Sequence, residues 1–337
     1  MRLSSPMRSY YSREAAGSVP ELGGTFFWDR ATVVTNVHIP DGFLSTPVWA
    51  GLDVAAVPAV GYMVKRAQSG FAETRAPLLG VMGAFVFAAQ MINFPVGVGT
   101  SGHLVGGALL AYTLGPPAAV VVMTAILAIQ GLVFQDGGIL AMGANVLNMA
   151  VFGVLAAHLP MRIAGGGRYR KLAIFLGGFL SVMVSALLAL SELVVSGVKI
   201  PPAVLGLSLV LFAVSASLEG VITVAVLKAL ESVQPEMVVK PSERGPGLAL
   251  VGAAAVLLAA VGVFFASTQP DGLEKLAQEI GIAGREHSIW STPLADYEVS
   301  LAASEWIRKA AAGLAGLGLI FGACLLLGRV AVRFRRQ

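Results

Sequence analysis

HLVGGALLAYTLGPPAAVVVMTAILAIQGLVFQ, residues 103–135, carries no Asp, Glu, Lys or Arg over 33 positions. A helix needs about 20 residues to cross the hydrocarbon core of a bilayer. Residues 117–135 reach that length, whereas 103–115 fall short and close at Gly115-Pro116-Pro117. The shorter piece therefore reads as a tilted or partly re-entrant helix. Such backbone is tolerated at membrane depth only where protein or a water-filled cavity surrounds it. Apolar runs on either side place further spans near 47–64, 77–92, 137–160, 171–197, 202–230, 247–267 and 303–328. The expected fold is an all-α polytopic membrane protein, a seven-helix bundle followed by a two-helix C-terminal hairpin with an outer loop.

Composition agrees. The 337-residue chain is 56% hydrophobic and 12% charged, with a mean hydropathy of +0.79; soluble domains carry roughly 25% charged residues. The formal net charge is +4, but the basic residues sit in short segments between apolar runs, which is the pattern of cytoplasmic loops rather than of a nucleic-acid surface. The expected partner of those segments is membrane lipid, with no nucleic acid. The single cysteine, Cys324, lies in an apolar run, which excludes a disulfide framework or a cysteine metal cluster.

Lys65, Arg66 and Arg75 follow the first span; Arg162, Arg168, Arg170 and Lys171 follow the fifth. Lys228, Lys240 and Arg244 follow the seventh, and Arg329, Arg333, Arg335 and Arg336 close the chain. One alternating arrangement satisfies all four clusters and puts the segment around His38, the loop 93–102 and the loop 267–302 on the outer face of a cell membrane. Arg308 and Lys309, at the outer end of the last span, run against it. Residues 231–246 have linker composition and separate a membrane domain at 37–230 from a two-span domain at 247–337.

The chain has four histidines, and imidazole is the commonest protein ligand for divalent transition metals. His38 and His103 lie in short segments rich in Gly and Pro, VHIPDGFL (37–44) and GTSGH (99–103), beside the turn NFP (93–95). On the expected topology both reach the outer face. His158 falls at a cytoplasmic helix end and reads as structural.

The strings HIPDGFL, NFPV and GTSGH-LVGGALLA, with Gln130, FQDGG (134–138) and GANVLNM (143–149), resemble the CbiM/NikM family across most of residues 37–230. Members are the substrate-binding membrane components of energy-coupling-factor importers for cobalt and nickel. The resemblance implies partners, namely a transmembrane coupling subunit and two ATPase subunits, and metal delivery to cobalamin synthesis or nickel enzymes. It also implies a ligand set: the N-terminal amine, the second residue's amide and imidazole, and the histidine of GTSGH. These positions are Val37, His38 and His103. Planar nitrogen coordination favours Ni(II), Cu(II) and low-spin Co(II) over tetrahedral Zn(II). No resident cofactor is implied; the metal is cargo, and the reading leans to cobalt.

The family begins Met-His, whereas here Val37 occupies that place and 36 residues precede it. An internal valine has no free amine, so translation is expected to start at position 37; the alternative is an extension that is cleaved or that leaves a three-nitrogen site. Without the amine, Asp41 is the nearest further donor. Asn145 and Asn148, beside Asp136, are expected to hydrogen-bond the ligand histidines from behind or else to bond neighbouring helices. Glu219, mid-span, marks function by default, although its partner is not evident. Glu192 is placed near the outer interface without a special role.

The outer loop holds Pro270-Asp271-Gly272-Leu273-Glu274, which resembles the PDGLE domain that accompanies cobalt and nickel importers. His287 with Glu286 and Asp296 could bind metal transiently there, although a solvated loop histidine is the better reading. Two stripes of small residues, Gly51/Ala55/Ala59 and Gly80/Ala84/Ala88, would each let a helix approach closely, inside the bundle or on a partner. No GxxxxGK[ST] phosphate loop occurs, so the chain is expected to be a transport subunit rather than an enzyme, with ATP hydrolysed elsewhere. A self-sufficient secondary metal transporter is the competing reading. It calls for paired intramembrane ionisable residues and inverted repeats.

Overall fold

Within hydrocarbon every backbone N–H and C=O must be satisfied by protein, and a helix does this inside one segment. The computed structural model describes residues 37–70, 76–97, 99–164, 167–233, 246–264, 269–299 and 304–335, and helices dominate it. The extension 1–36 and residues 234–245 of the linker lie outside the described residues. Helices α1 (Thr46–Gly70), α2 (Ala76–Gln90), α3 (Gly107–Leu114) and α4 (Pro116–Ile129) come first. Next, α5 (Met142–Asn145) runs through a π-helical stretch, Val146–Gly153, into α6 (Val154–Ala164). The long α7 (Arg170–Val195) and α8 (Pro202–Val233) follow, then α9 (Pro246–Val261), the short α10 (Gly272–Glu279) and α11 (Glu305–Arg335).

Among the described residues six stretches are long and apolar enough to cross a membrane: Thr46–Gln68, Pro116–Phe134, Met142–Ala164, Gly167–Val195, Pro202–Val233 and Glu305–Ala331. Of the other expected spans, α2 and α9 are shorter apolar helices and α3 is a buried half-helix. The eight residues of α3 rise only about 12 Å. Residues Gly107 to Thr113 are all buried, as a broken helix at membrane depth requires.

The bundle is knit in sequence neighbours and across its ends. α7 lies against α6 and α8, α3 against α4, and α2 against both α9 and α11. The C-terminal hairpin therefore clasps α2. Gly80 shows the fit, because a Cβ there would stand 2.8 Å from the Phe321 ring. Phe87, Met123, Ile126, Leu109, Leu110 and Phe134 fill the centre and are fully buried. Arg308 and Lys309, the positive residues that ran against the expected topology, pair with Glu298 and Glu305.

The expected loop 93–102 forms a small antiparallel ribbon, β1 (Phe94–Gly97) and β2 (Thr100–Gly102), with Phe94 opposite Gly102. It leads directly into His103. The chain then turns at Gly106, where φ is +78° and a Cβ would stand 2.4 Å from Val86 Cγ1. Both demands require glycine, and they set where α3 begins.

Candidate metal centre

His38 and His103 come from segments 65 residues apart and meet inside the protein. They are only 2% and 4% exposed, and their ring centroids lie 6.4 Å apart with planes inclined at 36°. Two imidazoles on opposite sides of one ion at about 2.0–2.1 Å from each nitrogen have centroids about 6.4 Å apart and adjacent ones lie closer, so the pair is at the outer limit of that reach.

Each ring is oriented by a neighbour. His38 Nδ1 lies 2.8 Å from Asp136 Oδ1, the carboxylate–histidine pairing that fixes ring orientation and ligand basicity at metal sites. His103 Nδ1 lies 2.7 Å from the Leu104 carbonyl, which makes Nδ1 the protonated nitrogen and leaves the Nε2 lone pair for a ligand. That buried Nε2 has no hydrogen-bond partner. Burial, and then the adjacent His38, pull the His103 pKa down to about 4. The ring is therefore neutral near pH 7, as a metal ligand must be.

The backbone around both rings is tied down. Asn145 grips the residue after His38 in both directions: its Oδ1 accepts from Ile39 N at 2.7 Å, and its Nδ2 donates to Ile39 O at 3.0 Å. Asn145 thus positions the His38 segment through the main chain rather than through the ring. Asn148 follows the second of its two expectations and bonds a neighbouring helix: its Nδ2 donates to Glu192 Oε2 on α7 at 2.8 Å. The helix turns π-helical at Val146, and the wider turn removes the shared face that the spacing of the two asparagines implied. Glu192, expected at the interface without a role, is buried on α7 as that partner. Val37 is buried beside Ile39, Phe43 and Leu44.

Glu219 also has its partner. Its carboxylate accepts from Val105 N at 2.7 Å and Gly106 N at 2.9 Å. These donors stand at the head of α3, where a helix leaves N–H groups orphaned and its dipole favours an anion. Gln90 Nε2 donates to Val105 O at 2.8 Å. The stretch after His103 is thereby held from two helices. Glu219→Ala leaves two buried N–H groups unmet, at about 1–3 kcal/mol each. The expected outcome is a lowered melting midpoint in detergent together with weaker metal binding through displacement of His103. Glu219→Gln, which keeps one acceptor, should fall between; a melting curve and a metal titration on both variants check this.

Asp41 is not available as a metal donor. Its carboxylate accepts from Ile139, Leu140 and Ala141 N at 2.8 to 3.3 Å. His158 lies in α6, apart from the His38–His103 pair. Among the described residues no group of three or more His, Cys, Asp and Glu side chains could hold a metal, so an ion here needs backbone donors as well.

The loop between α9 and α11 roofs the site. Ser101 donates from N to Pro270 O at 2.7 Å and from Oγ to Gln269 O at 2.6 Å. Asp271 caps α10 by accepting from Glu274 N at 2.6 Å, and Leu273, Leu276 and Ala277 pack with Ile39, Phe43 and Phe212. The PDGLE string therefore serves as a docking element: proline carbonyl, cap and apolar anchor. His287 N donates to Asp41 O at 3.4 Å, and a Cβ on Gly42 (φ +94°) would stand 2.0 Å from Arg285 O. The His287 ring is exposed and its Nδ1 sits 3.1 Å from Arg285 O, which fits the solvated reading better than the metal one. Thr292 Oγ1 donates to Val133 O and Tyr297 to Asp136 Oδ2. No local pattern marks the Tyr297 contact, since 161 residues separate its partners. The loop carries Glu286, pushed up to about 7 by burial and then by Glu274, Asp296, Asp136 and Asp41. Asp296 is pushed up to about 6 by burial and then by Glu298 and Asp136. Such a gathering of carboxylates creates a field that draws cations.

Comparison with known proteins agrees with this geometry. The family model for the cobalt uptake substrate-specific transmembrane region, CbiM, matches residues 38–237, and that for the PDGLE domain matches 247–333. A putative fused nickel transport protein, NikMN, of Archaeoglobus fulgidus is 31% identical over 89% of this chain and 99% of its own length. The fused nickel transport protein NikMN of Rhodobacter capsulatus is 29% identical over 84% and 95%. A crystal structure of a transition metal transporter is 32% identical and superposes with a TM-score of 0.52, covering 59% of this chain and 94% of that one. The chain belongs to the CbiM family of cobalt uptake transmembrane regions, with a PDGLE domain at its C-terminal end; it is a multi-pass membrane transport protein and not an enzyme.

Proposed function

We propose that this chain is the substrate-binding membrane subunit of an energy-coupling-factor importer for Ni(II) or Co(II), with its metal site facing outward. The observation that carries this reading is the buried pair His38 and His103, each ring oriented by a partner and His103 Nε2 left with a lone pair and no hydrogen bond. The metal ligands are His38 and His103, joined by the backbone nitrogens of Val37 and His38 where the chain begins at position 37. Asp136 orients His38, and Asn145 fixes the main chain beside it. Relatives that match along most of the chain are named for nickel, which favours Ni(II) over the lean to cobalt. The metal then serves nickel enzymes, or cobalamin synthesis if the cargo is cobalt.

Energy comes from separate ATPase subunits through a transmembrane coupling subunit. Of the two small-residue stripes, Gly80, Ala84 and Ala88 are buried, whereas Gly51 and Ala55 on α1 are exposed and nothing lies within 4 Å of a Cβ placed on Gly51. The α1 stripe is therefore the docking face for the coupling subunit. Gly51→Leu with Ala55→Leu should block uptake and leave metal binding intact; joint loss of both would assign the stripe to internal packing. The overall test is metal uptake into vesicles that contain the chain with its coupling and ATPase subunits. ATP-dependent accumulation of Ni(II) or Co(II) is expected, and equal uptake by the chain alone would favour a self-sufficient transporter.

A further inference from the structure

The pocket's roof and its ligand share one chain of hydrogen bonds. Asp136 Oδ1 engages His38 Nδ1 at 2.8 Å, and its Oδ2 accepts from the Tyr297 hydroxyl. That hydroxyl accepts from Gln130 Nε2 at 3.1 Å, and the same amide donates to Gln90 Oε1 at 3.0 Å. Gln90 Nε2 then donates to the Val105 carbonyl at 2.8 Å, two residues beyond His103. The chain thus runs from His38 to the His103 segment, and Tyr297 is its one member from the PDGLE domain.

Two further observations bear on Tyr297. Its ring stacks on Phe134 with centroids 4.7 Å apart and planes 12° from parallel, which locks the direction of its hydroxyl. Among the described residues the non-glycine positions with positive φ are Gln135 at 58°, Asp296 at 56° and Tyr297 at 57°. All three adjoin or form the Tyr297–Asp136 junction. Left-handed backbone at such residues is unfavourable and persists where the surroundings over-determine it, commonly at functional sites.

We propose that Tyr297 is a positioning residue of the metal site, acting through Asp136 to fix the His38 imidazole, so that the PDGLE domain completes the pocket. The inference rests on reading His38 and His103 as ligands. A residue that merely packs would act through its ring alone, and Tyr297→Phe keeps the ring while removing the hydroxyl.

The test uses the full chain in detergent, with Ni(II) and Co(II) titrated calorimetrically and the Co(II) visible absorption recorded. Tyr297→Phe is expected to weaken binding about tenfold and to shift the Co(II) bands, with the metal-free protein folded and its melting midpoint lowered only by the lost buried hydrogen bond. In an Asp136→Asn background the same substitution should change affinity less than about twofold, because the route to His38 is already cut. Binding and spectrum equal to wild type in Tyr297→Phe would overturn the inference. So would a full tenfold loss in the Asp136→Asn background, or a loss matched by a fallen melting midpoint with unchanged bands. If wild type binds metal and His38→Ala does not, yet Tyr297→Phe is silent, this inference alone fails. If wild type binds no metal, the functional reading fails with it.

Discussion

Titration of His38→Ala or of His103→Ala with Ni(II) or Co(II) should show no high-affinity binding, with both proteins still folded. The expected loss is at least about 100-fold, roughly 2.7 kcal/mol. Its size follows from scarcity, since no group of three or more His, Cys, Asp and Glu side chains among the described residues could hold a metal. Removing one imidazole removes half of the histidine donors. The fold should survive because the main chain at each site is fixed independently of the ring. Asn145 and Asp41 hold the His38 segment, and Glu219 with Gln90 holds the His103 segment. His38→Ala strips a partner from Asp136 Oδ1 but leaves Tyr297 on Oδ2, a cost of about 1–3 kcal/mol. Circular dichroism and melting in detergent check the fold, and calorimetry reads the affinity. Wild-type affinity in either variant would sink the ligand assignment.

What could be read from the sequence was what local pattern records. Apolar runs of bilayer length marked α1, α4, α7, α8 and α11, and the shortfall of 103–115 before Gly115-Pro116-Pro117 marked α3 as something other than a span. HIPDGFL and GTSGH marked both histidines. Where the sequence reading stayed open or went astray, a non-local contact had intervened. The sequence left Asn145 and Asn148 with two readings; Asn148 bonds a neighbouring helix through Glu192, and Asn145 bonds the main chain beside His38 rather than the ring. Glu219 looked like a costly acid in mid-span because its partners are backbone N–H groups more than 100 residues away, which no side-chain pattern announces. Asp41 sits in the motif yet spends its carboxylate on three main-chain donors. The PDGLE string identified a domain by resemblance, but only the fold reveals its carbonyl, cap and anchor as the means by which that domain seats over the pocket.

The free amine is the remaining donor, and it carries the second large effect. A terminal amine at position 37, the His38 amide nitrogen and the His38 imidazole close two fused chelate rings on one ion, and His103 supplies a fourth nitrogen. When residue 37 is internal, its nitrogen is an amide bonded to Asn36, whose lone pair is delocalised into the peptide carbonyl and is a poor ligand. In the shortened chain the His38 amide loses its proton to bind and the six-membered ring closes through His38 Nδ1, which displaces Asp136; in the full chain Asp136 keeps Nδ1 and the imidazole binds through Nε2. A chain shortened to begin at position 37, with methionine there, should therefore bind Ni(II) at least about tenfold more tightly than the full chain, about 1.4 kcal/mol. It should also show the yellow absorbance of square-planar nickel. The full chain should bind through fewer nitrogens, without that band. Calorimetry and visible spectra on the two proteins, side by side, decide the matter. Equal affinities with identical spectra would remove the amine from the ligand set and leave His38 and His103 to share the ion with backbone donors other than the amine.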